Sequence, residues 1–197
     1  MSPAIAKTSE TAILAAARQL VRQNGVDGLS MRDVADAVGI RAPSLYKRFD
    51  NRESLLRAVR AQVQEEFEAV LVKAAEGHPP AQALTKIANA YRAFARRKPR
   101  MYRILHRPEL APRSGDAPGV TRNVVMSLVG ESHAAQAADC ICAFLHGFVT
   151  LELDGSFTRA DSRSPDEAFA FSVYVVLQGL VSSADAPSGA GRATQVV

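Results

Sequence analysis

Three basic residues, two aromatic residues and a proline are concentrated in one ten-residue stretch, IRAPSLYKRF, which runs from Ile40 to Phe49. Side chains of these types bind polyanions, because lysine and arginine pair with phosphates and hydroxyl groups donate hydrogen bonds to phosphate oxygens. The same composition is also typical of an amphipathic helix with a solvated face. The charge and the helix patterns around the stretch bear on the choice between these interpretations.

The net charge of +4 lies entirely in the first 60 residues, which contain ten lysines and arginines against six acids, whereas the remaining chain is neutral. A basic segment joined to a neutral, larger one favours a module that binds a polyanion, with something else attached. Two cysteines are too few for a secreted disulfide framework, and the N-terminus does not have the pattern of a signal peptide. No apolar run approaches the roughly 20 residues of a membrane span. We therefore expect a cytoplasmic protein that does not associate with a membrane.

The remaining candidates for chemistry are His146 and the pair Cys140 and Cys142. A histidine beside Gly147 on a buried helix is more often structural than catalytic. The two cysteines lie about 200° apart around a helix, so they cannot chelate one ion or form a disulfide without unwinding it. The spacings typical of metal ligands, catalytic triads and nucleotide loops do not occur. We predict no catalytic residue, no metal site and no cofactor.

Helix signals place the basic stretch at the end of a three-helix module. Apolar residues at helical spacing predict a first helix over 8–24, which Gly25 ends. Ser30 with Asp33 resembles a capping box that starts a helix of about two turns, which Gly39 closes. Pro43 suits the first turn of a third helix, and Leu45 and Phe49 then face inward. Two short helices joined by a glycine turn predict a helix-turn-helix.

This geometry leaves the other side chains of the stretch on the outer surface. A helix in the major groove reads base edges through its N-terminal residues, whereas hydroxyl and basic groups farther along hold phosphates. Arg41, Ala42 and Pro43 form the end that meets bases, with Ser44, Tyr46 and Lys47 behind them. Arg48 is either a phosphate contact or solvated.

The segment GLSMRDVADAVGIRAPSLYKRFDNRESLL, Gly28 to Leu56, resembles the DNA-binding domain of the TetR family of bacterial transcriptional regulators. The resemblance implies that Ser44, Tyr46 and Lys47 contact the groove or phosphates, and that Arg52 contacts a phosphate. It also implies that Arg32 reaches a base edge; arginine is the commonest bidentate reader of guanine. Two positions depart from the pattern. Arg41 replaces the usual Ser/Thr helix cap, and Ala42 offers only apolar contact, for example to a thymine methyl.

The rest of the chain predicts an all-α fold, in which a long fourth helix joins the N-terminal helix-turn-helix module to a helical bundle for ligand binding and dimerisation. We predict a DNA-binding domain over 1–60, a ligand-binding and dimerisation domain over 61–182 and a disordered tail over 183–197. The fourth helix runs about 25 residues from Asn51, and an acidic cluster at Glu65, Glu66 and Glu68 is interpreted as a solvated face. Later helices are predicted over 82–96, from Pro99, and over 120–129, 134–153 and 165–180. The stretch FLHGFVTLELDGSF, from Phe144, resembles a C-terminal subclass marked by a Trp shortly before a His-Gly pair, although the chain has no Trp.

The two closing helices are apolar on more than one side, which predicts burial on more than one side. Pairing with the same helices of a second chain as a four-helix interface satisfies this, and the resemblance implies the same; a monomer that covers both helices with its own chain is the alternative. A dimer also allows two recognition helices about 34–36 Å apart to enter successive major grooves of a near-palindromic site. The predicted interface residues follow 4-3 spacing: Ile141, Phe148, Leu151, Phe169, Val173, Val176 and Leu180.

The resemblance further implies an apolar ligand cavity among the middle helices. Its candidate residues are Phe67, Tyr91, Phe94, Met101, Tyr102, Leu105, Met126 and Phe144, a set that is also typical of an ordinary core.

The sequence therefore predicts a dimeric DNA-binding regulator, a repressor released from a double-stranded DNA operator by an unknown small-molecule effector. Two alternatives remain. One is a cytoplasmic helical enzyme, which a titratable pair such as Glu152 with His146 would favour. The other is a redox-sensing regulator that uses Cys140 and Cys142.

Overall fold

The computed structural model describes residues 9–110, 119–157 and 164–184, and every regular element within these ranges is a helix. This confirms the all-α prediction. In chain order the α-helices are α1 (Glu10–Asn24), α2 (Met31–Ala37), α3 (Ala42–Tyr46), α4 (Arg52–Ala75), α5 (Pro80–Arg97), α6 (Pro99–Leu105), α7 (Gly119–Val129), α8 (Ala134–Leu153) and α9 (Pro165–Ala184). Short 3₁₀ turns at Pro108–Leu110 and Glu131–His133 lie between them.

Polar caps and glycine turns fix where the first helices begin and end. The hydroxyl oxygens of Ser9 and Ser30 accept hydrogen bonds from backbone N–H groups in the first turns of α1 and α2. Asn51 and Ser54 cap α4 reciprocally, since each side chain accepts the other's backbone N–H. Gly39 follows α2 with a φ of 68°, a conformation in which any Cβ is strained. The predicted capping serine and closing glycine of α2 are confirmed.

The later helices differ from the sequence-based boundaries by a few residues. Helix α8 has the bounds predicted for it, and α7 begins one residue early at Gly119. Helix α9 continues to Ala184, four residues beyond its predicted end, so the first two residues of the predicted tail are helical. The rest of that tail, 185–197, lies outside the described residues.

The described residues form two compact units. The first contains residues 9–70 and 93–110, and it includes α6 because α6 packs on α1. The second contains residues 71–92, 119–157 and 164–184, where α7 packs on both α8 and α9. The domain boundary at residue 60 stays a prediction.

Each unit has its own buried residues. Fully buried aliphatic side chains come from every helix of the helix-turn-helix and from the first half of α4: Ile13, Val21, Val34, Leu45, Leu55 and Val59. In the second unit the buried set includes Leu84, Ile87, Val125, Leu145, Val149 and Phe169. The first unit thus holds α3 rigidly, because Leu45 is anchored among the side chains of its core.

One stretch, Glu131–Leu153, is long and apolar enough to span a membrane by length and composition. The expectation that no apolar run approaches this length was therefore wrong. In the structure α8 packs on α7 and α9, and Ala137, Ile141 and Leu145 are buried there. This packing is that of a core helix.

Candidate nucleic-acid interface

The third helix is short and begins without a side-chain cap. It covers Ala42–Tyr46, with Pro43 in the first turn, and the side chain of the N-cap residue Arg41 makes no capping hydrogen bond. Leu45 is fully buried, and Phe49, just beyond the helix, is also buried. These two apolar anchors lie on the inner side, so the polar residues between them face outward.

The outward residues form one surface, which we call the α3 surface. It contains Arg41, Pro43, Ser44, Lys47 and Arg48, which are exposed, together with the half-buried Ala42 and with Tyr46, which is 49% exposed. A surface depression of about 640 Å³ lies at the N-terminal, or leading, end of α3. It is lined by Asp36, Gly39, Ile40, Arg41 and Ser44. A surface of hydroxyl, aromatic and basic groups around a concave leading end has the chemistry to bind a phosphate backbone and base edges.

Arg32 lies on α2 with a nearly fully exposed side chain. Its Nε is 3.8 Å from the carboxylate of Asp36, one turn later on the same exposed side. An exposed pair at this distance holds the arginine only weakly. Arg32 is therefore free to take a stronger acceptor, and its predicted contact with a base edge stays a prediction.

Arg52 is placed differently from what the resemblance implies. Its Nε donates to the carbonyl oxygen of Leu29 over 2.8 Å, and its Nη2 donates to the carbonyl oxygen of Val26. Both carbonyls belong to the turn between α1 and α2. Arg52 thus ties the first residue of α4 to that turn, and only the remaining part of its guanidinium is left for a phosphate.

Glu66 joins three helices of the first unit. Its carboxylate accepts a hydrogen bond from Arg18 of α1 at 2.5 Å and another from Lys98, which precedes α6. Burial alone would raise the pKa of Glu66, but the hydrogen bonds from Lys98 and Arg18 outweigh it and hold the pKa below its ordinary value. The interpretation of the acidic cluster as a solvated face was therefore wrong for Glu66, although Glu65 is exposed.

Arginines bind the end of α1 and the turn after it to the region around α6. Arg100 donates to the carbonyl oxygens of Arg22, over 2.8 Å, and of Gln23, both in the last turn of α1. Arg107 forms a 2.6 Å ion pair with Asp27, and the Nε of Arg60 in α4 donates to the carbonyl oxygen of Leu105 over 3.1 Å. The sequence analysis did not find these contacts, because each joins residues at least 45 positions apart.

The eight residues predicted for a ligand cavity are divided between the two units. Five of them are buried in the first unit, where the rings of Phe67 and Phe94 lie 5.0 Å apart. In the second unit Tyr91 is buried, Phe144 is half-buried and Met126 is 43% exposed. The exposure of Met126 argues against a role in lining an enclosed site, and the remaining residues stay predictions. The five in the first unit are Phe67, Phe94, Met101, Tyr102 and Leu105.

A buried arginine that the sequence analysis missed lies in the second unit. Arg92 of α5 is only 7% exposed, and it forms a bidentate ion pair with Glu152 of α8 and a 2.7 Å ion pair with Asp166 of α9. Its guanidinium also lies 4.7 Å from the ring centroid of Phe169. The hydrogen bonds that Arg92 donates to the Glu152 carboxylate raise the pKa of Arg92 against the opposing effect of burial. One feature of the sequence could have indicated this buried arginine: Arg92 lies four positions after Ala88, on the apolar side of the amphipathic helix α5.

The residues predicted for the dimer interface are mostly core residues of the single chain. Ile141, Phe148, Phe169, Val173 and Leu180 are buried in the second unit and Val176 is half-buried, so only Leu151 has an exposed side chain. The 4-3 spacing marks an apolar side of each helix that packs largely against its own chain, and contact of these residues with a second copy stays a prediction. The exposed large apolar side chains of the two helices are Leu151 on α8, which belongs to the predicted set, and Phe171, Tyr174, Val175 and Val181 on α9, which do not.

The residues predicted as alternatives for enzyme or redox chemistry are not brought together as a catalytic or redox site. Glu152, the proposed partner of His146, is bound by Arg92. His146 is half-buried, and burial lowers its pKa. Cys140 is exposed and Cys142 half-buried, and both are thiols without a disulfide. Among the described residues, no group of three or more His, Cys, Asp or Glu side chains is arranged to hold a metal ion.

A short helix that presents basic and aromatic groups, held by a tight turn against a second short helix, defines a helix-turn-helix DNA-binding protein. Comparison with known proteins identifies its family. Residues 13–59 match the model of "Bacterial regulatory proteins, tetR family", and residues 84–176 match "Tetracyclin repressor-like, C-terminal domain". The chain therefore belongs to the TetR family of transcriptional regulators, which are DNA-binding proteins without enzymatic activity.

A relative supports this assignment, and solved structures share the fold. An HTH-type transcriptional regulator of Mycobacterium tuberculosis is 32% identical over 166 residues, which cover 80% of this chain and 76% of the relative. A protein from Rhodococcus sp. RHA1 has a TM-score of 0.73 at 25% identity, and the match covers 92% of this chain and all of that one. A TetR variant from Acinetobacter baumannii, solved in complex with minocycline, has a TM-score of 0.66 at 20% identity over 91% of this chain and all of that one.

Proposed function

We propose that the protein is a homodimeric repressor that binds a near-palindromic operator and leaves it when a small-molecule effector binds. The observation that carries the proposal is the α3 surface, in which Ser44, Tyr46 and Lys47 are exposed next to the buried anchors Leu45 and Phe49. Because the core holds the backbone of α3 in place, its hydroxyl and ammonium groups can contact phosphates without further ordering of the backbone. This reduces the entropy that binding costs.

The leading end of α3 supports a role in reading bases. Arg41 and Ser44 line the depression there, and the side chain of Arg41 makes no hydrogen bond that caps α3. Its guanidinium can therefore reach the two acceptors of a guanine, or a phosphate. Arg32 on α2 supplies a second exposed guanidinium for the same purpose. Arg48 and the free side of Arg52 add charge for the phosphate backbone.

Dimerisation through α8 and α9 is supported by their exposed apolar sides. Phe171 and Tyr174 are 62% and 60% exposed, and Leu151 is half-exposed. Large apolar side chains clustered on a surface are typical of an interface. Gly147 lies on the exposed side of α8, where an added Cβ would meet nothing within 4 Å in the single chain. A glycine at this place permits close approach of a helix from a second copy.

Release by an effector rests on the family and on one structure of the same fold. The Acinetobacter TetR variant was solved with minocycline, so the fold holds a small molecule in that protein. An effector releases this protein from DNA only if it binds more tightly to a conformation unable to bind the operator. The buried aromatic residues of α4 to α6, including Phe67 and Phe94, are the proposed neighbours of the effector.

DNA binding is tested by selecting genomic fragments with the pure protein at moderate salt and measuring affinity for the selected site. Replacing Tyr46→Ala and Lys47→Ala should weaken binding at least about tenfold and reduce the slope of log affinity against log salt by about one, because Lys47 is the one cationic phosphate contact that is lost. The matched control is Val72→Ala with Lys73→Ala, an exposed apolar and basic pair on α4. Failure of the wild type to select any fragment would overturn the proposal.

A further inference from the structure

A concentration of positive charge lies at the junction between α5 and α6, away from the residues of the α3 surface in sequence. The segment from Arg96 to Arg103 contains five basic residues and no acid. Part of it lines a cleft of about 290 Å³ in the first unit, together with Arg22 from the last turn of α1. The lining residues are Arg22, Arg97, Lys98, Pro99, Arg100 and Met101. Four of these six are cationic.

The four cationic side chains differ in the ion pairs and hydrogen bonds that they form. Lys98 is paired with Glu66, and Arg100 donates to two backbone carbonyls at the end of α1. Arg22 and Arg97 are exposed, and within the described part of the chain neither forms an ion pair or a side-chain hydrogen bond. The cleft therefore has an excess of positive charge, and two of its guanidinium groups are available to a ligand.

The shape of the site argues for a small ligand. Its volume is near the lower end of the range of about 300–1,000 Å³ that small-molecule sites occupy. Cations from two elements, α1 and the α5–α6 junction, converge on it, so an anion inside contacts both. Guanidinium groups bind phosphate oxygens through paired, charge-assisted hydrogen bonds, and several such groups around one cleft match more than one phosphate.

We propose that this cleft binds a small molecule through a diphosphate group. Arg22 and Arg97 supply the free guanidinium groups, and Lys98 and Arg100 line the same cleft. A ligand diphosphate competes with Glu66 for Lys98 and with the α1 carbonyls for Arg100. Binding of the diphosphate therefore competes with the contacts between α1 and α6. The cleft is thus an anion-responsive site, chemically different from an apolar effector cavity.

The test uses the full-length protein without DNA and inorganic pyrophosphate as the probe, with binding measured by isothermal titration calorimetry. We expect wild type to bind pyrophosphate more tightly than orthophosphate or sulfate at equal ionic strength. Replacing Arg22→Gln and Arg97→Gln should weaken pyrophosphate binding at least about tenfold, because charge-assisted hydrogen bonds are lost. These two substitutions remove no described side-chain contact, so the fold should be retained.

The charge-matched control is Lys86→Gln with Arg122→Gln, which removes two exposed cations outside the cleft. Equal pyrophosphate affinity in both double variants, or no preference of wild type for pyrophosphate over sulfate, overturns the proposal. It is also overturned if the cleft variant loses affinity for random-sequence DNA as strongly as for pyrophosphate, since the cleft would then be a contact for DNA phosphates. Because the titration contains no operator, its outcome is distinguishable from failure of the proposed repressor function.

Discussion

The guanidinium of Arg92 meets the carboxylate of Glu152 through two parallel hydrogen bonds, from Nε to Oε2 at 2.8 Å and from Nη2 to Oε1 at 2.6 Å. The two side chains are about nine-tenths buried, on α5 and α8. Asp166, at the start of α9, binds the same guanidinium but is 72% exposed. A single buried cation thus joins three helices of the second unit.

Replacing Arg92→Met should cost about 3–5 kcal/mol of unfolding free energy, because the buried Glu152 carboxylate loses the two charged hydrogen bonds that Arg92 donates to it. Denaturation in urea, followed by circular dichroism, measures the change. Asp166→Asn is the comparison, and it should cost less than about 1 kcal/mol because Asp166 is exposed. Replacing Arg92 and Glu152 together by methionine should recover much of the loss. A single Arg92→Met variant as stable as Asp166→Asn would show that the pair has no such role.

Replacing Arg41→Ser should change stability and DNA binding in opposite directions. Serine at this N-cap position supplies the hydrogen bond that Arg41 does not make, which should stabilise the fold by about 0.5–2 kcal/mol. Affinity for the selected DNA site should fall because a guanidinium is removed from the α3 surface. Urea denaturation and fluorescence anisotropy measure the two effects. Ser30→Ala, which removes the existing cap of α2, should destabilise by a similar amount. Unchanged DNA affinity in Arg41→Ser would exclude Arg41 from the interface.

Local features of the fold could be predicted from the sequence, and long-range ones could not. The cap at Ser30, the glycine turn at Gly39 and the inward anchors Leu45 and Phe49 follow from backbone preferences and helical periodicity, and the structure has them. Periodicity does not say which of two apolar sides of a helix faces its own chain, so it could not show that Ile141 and Phe169 are buried within the chain. Partners such as Arg92 and Glu152 lie 60 positions apart, and no local pattern indicates that they meet.

Replacing Phe171→Asp and Tyr174→Asp should convert the proposed dimer into a monomer. Both side chains are exposed on α9, so the substitutions cost little within one chain but place unpaired charges inside a dimer interface. Sedimentation velocity at micromolar concentration measures the association state. Met126→Asp on α7 is the control, since Met126 is also exposed and apolar but lies outside the proposed interface. Retention of the wild-type association state in the double variant would place the interface elsewhere.

Acid should unfold the protein partly through Glu66. The pKa of this carboxyl is held below its ordinary value of 4.5, so its ionised form is favoured in the folded state. The stability that it contributes is complete above the unfolded pKa and is lost as the pH falls through the lower folded pKa. Between about pH 5 and pH 3, wild type should lose more stability than Glu66→Gln. Thermal denaturation across this range tests the difference, with the exposed neighbour Glu65→Gln as the control. Parallel pH profiles for wild type and Glu66→Gln would contradict the prediction.

The bonds from Arg52 to the carbonyls of Val26 and Leu29 affect how genetic data on this protein are interpreted. A substitution at Arg52 removes a positive charge near the α3 surface and also releases the turn that precedes α2. Loss of repression in such a mutant would therefore not identify a DNA contact. The two causes separate in a stability measurement, because a variant that lacks only a phosphate contact keeps the melting temperature of the wild type. In a mutational screen, Arg52 belongs with the residues that stabilise the helix-turn-helix, whereas Lys47 belongs with those proposed to contact DNA directly.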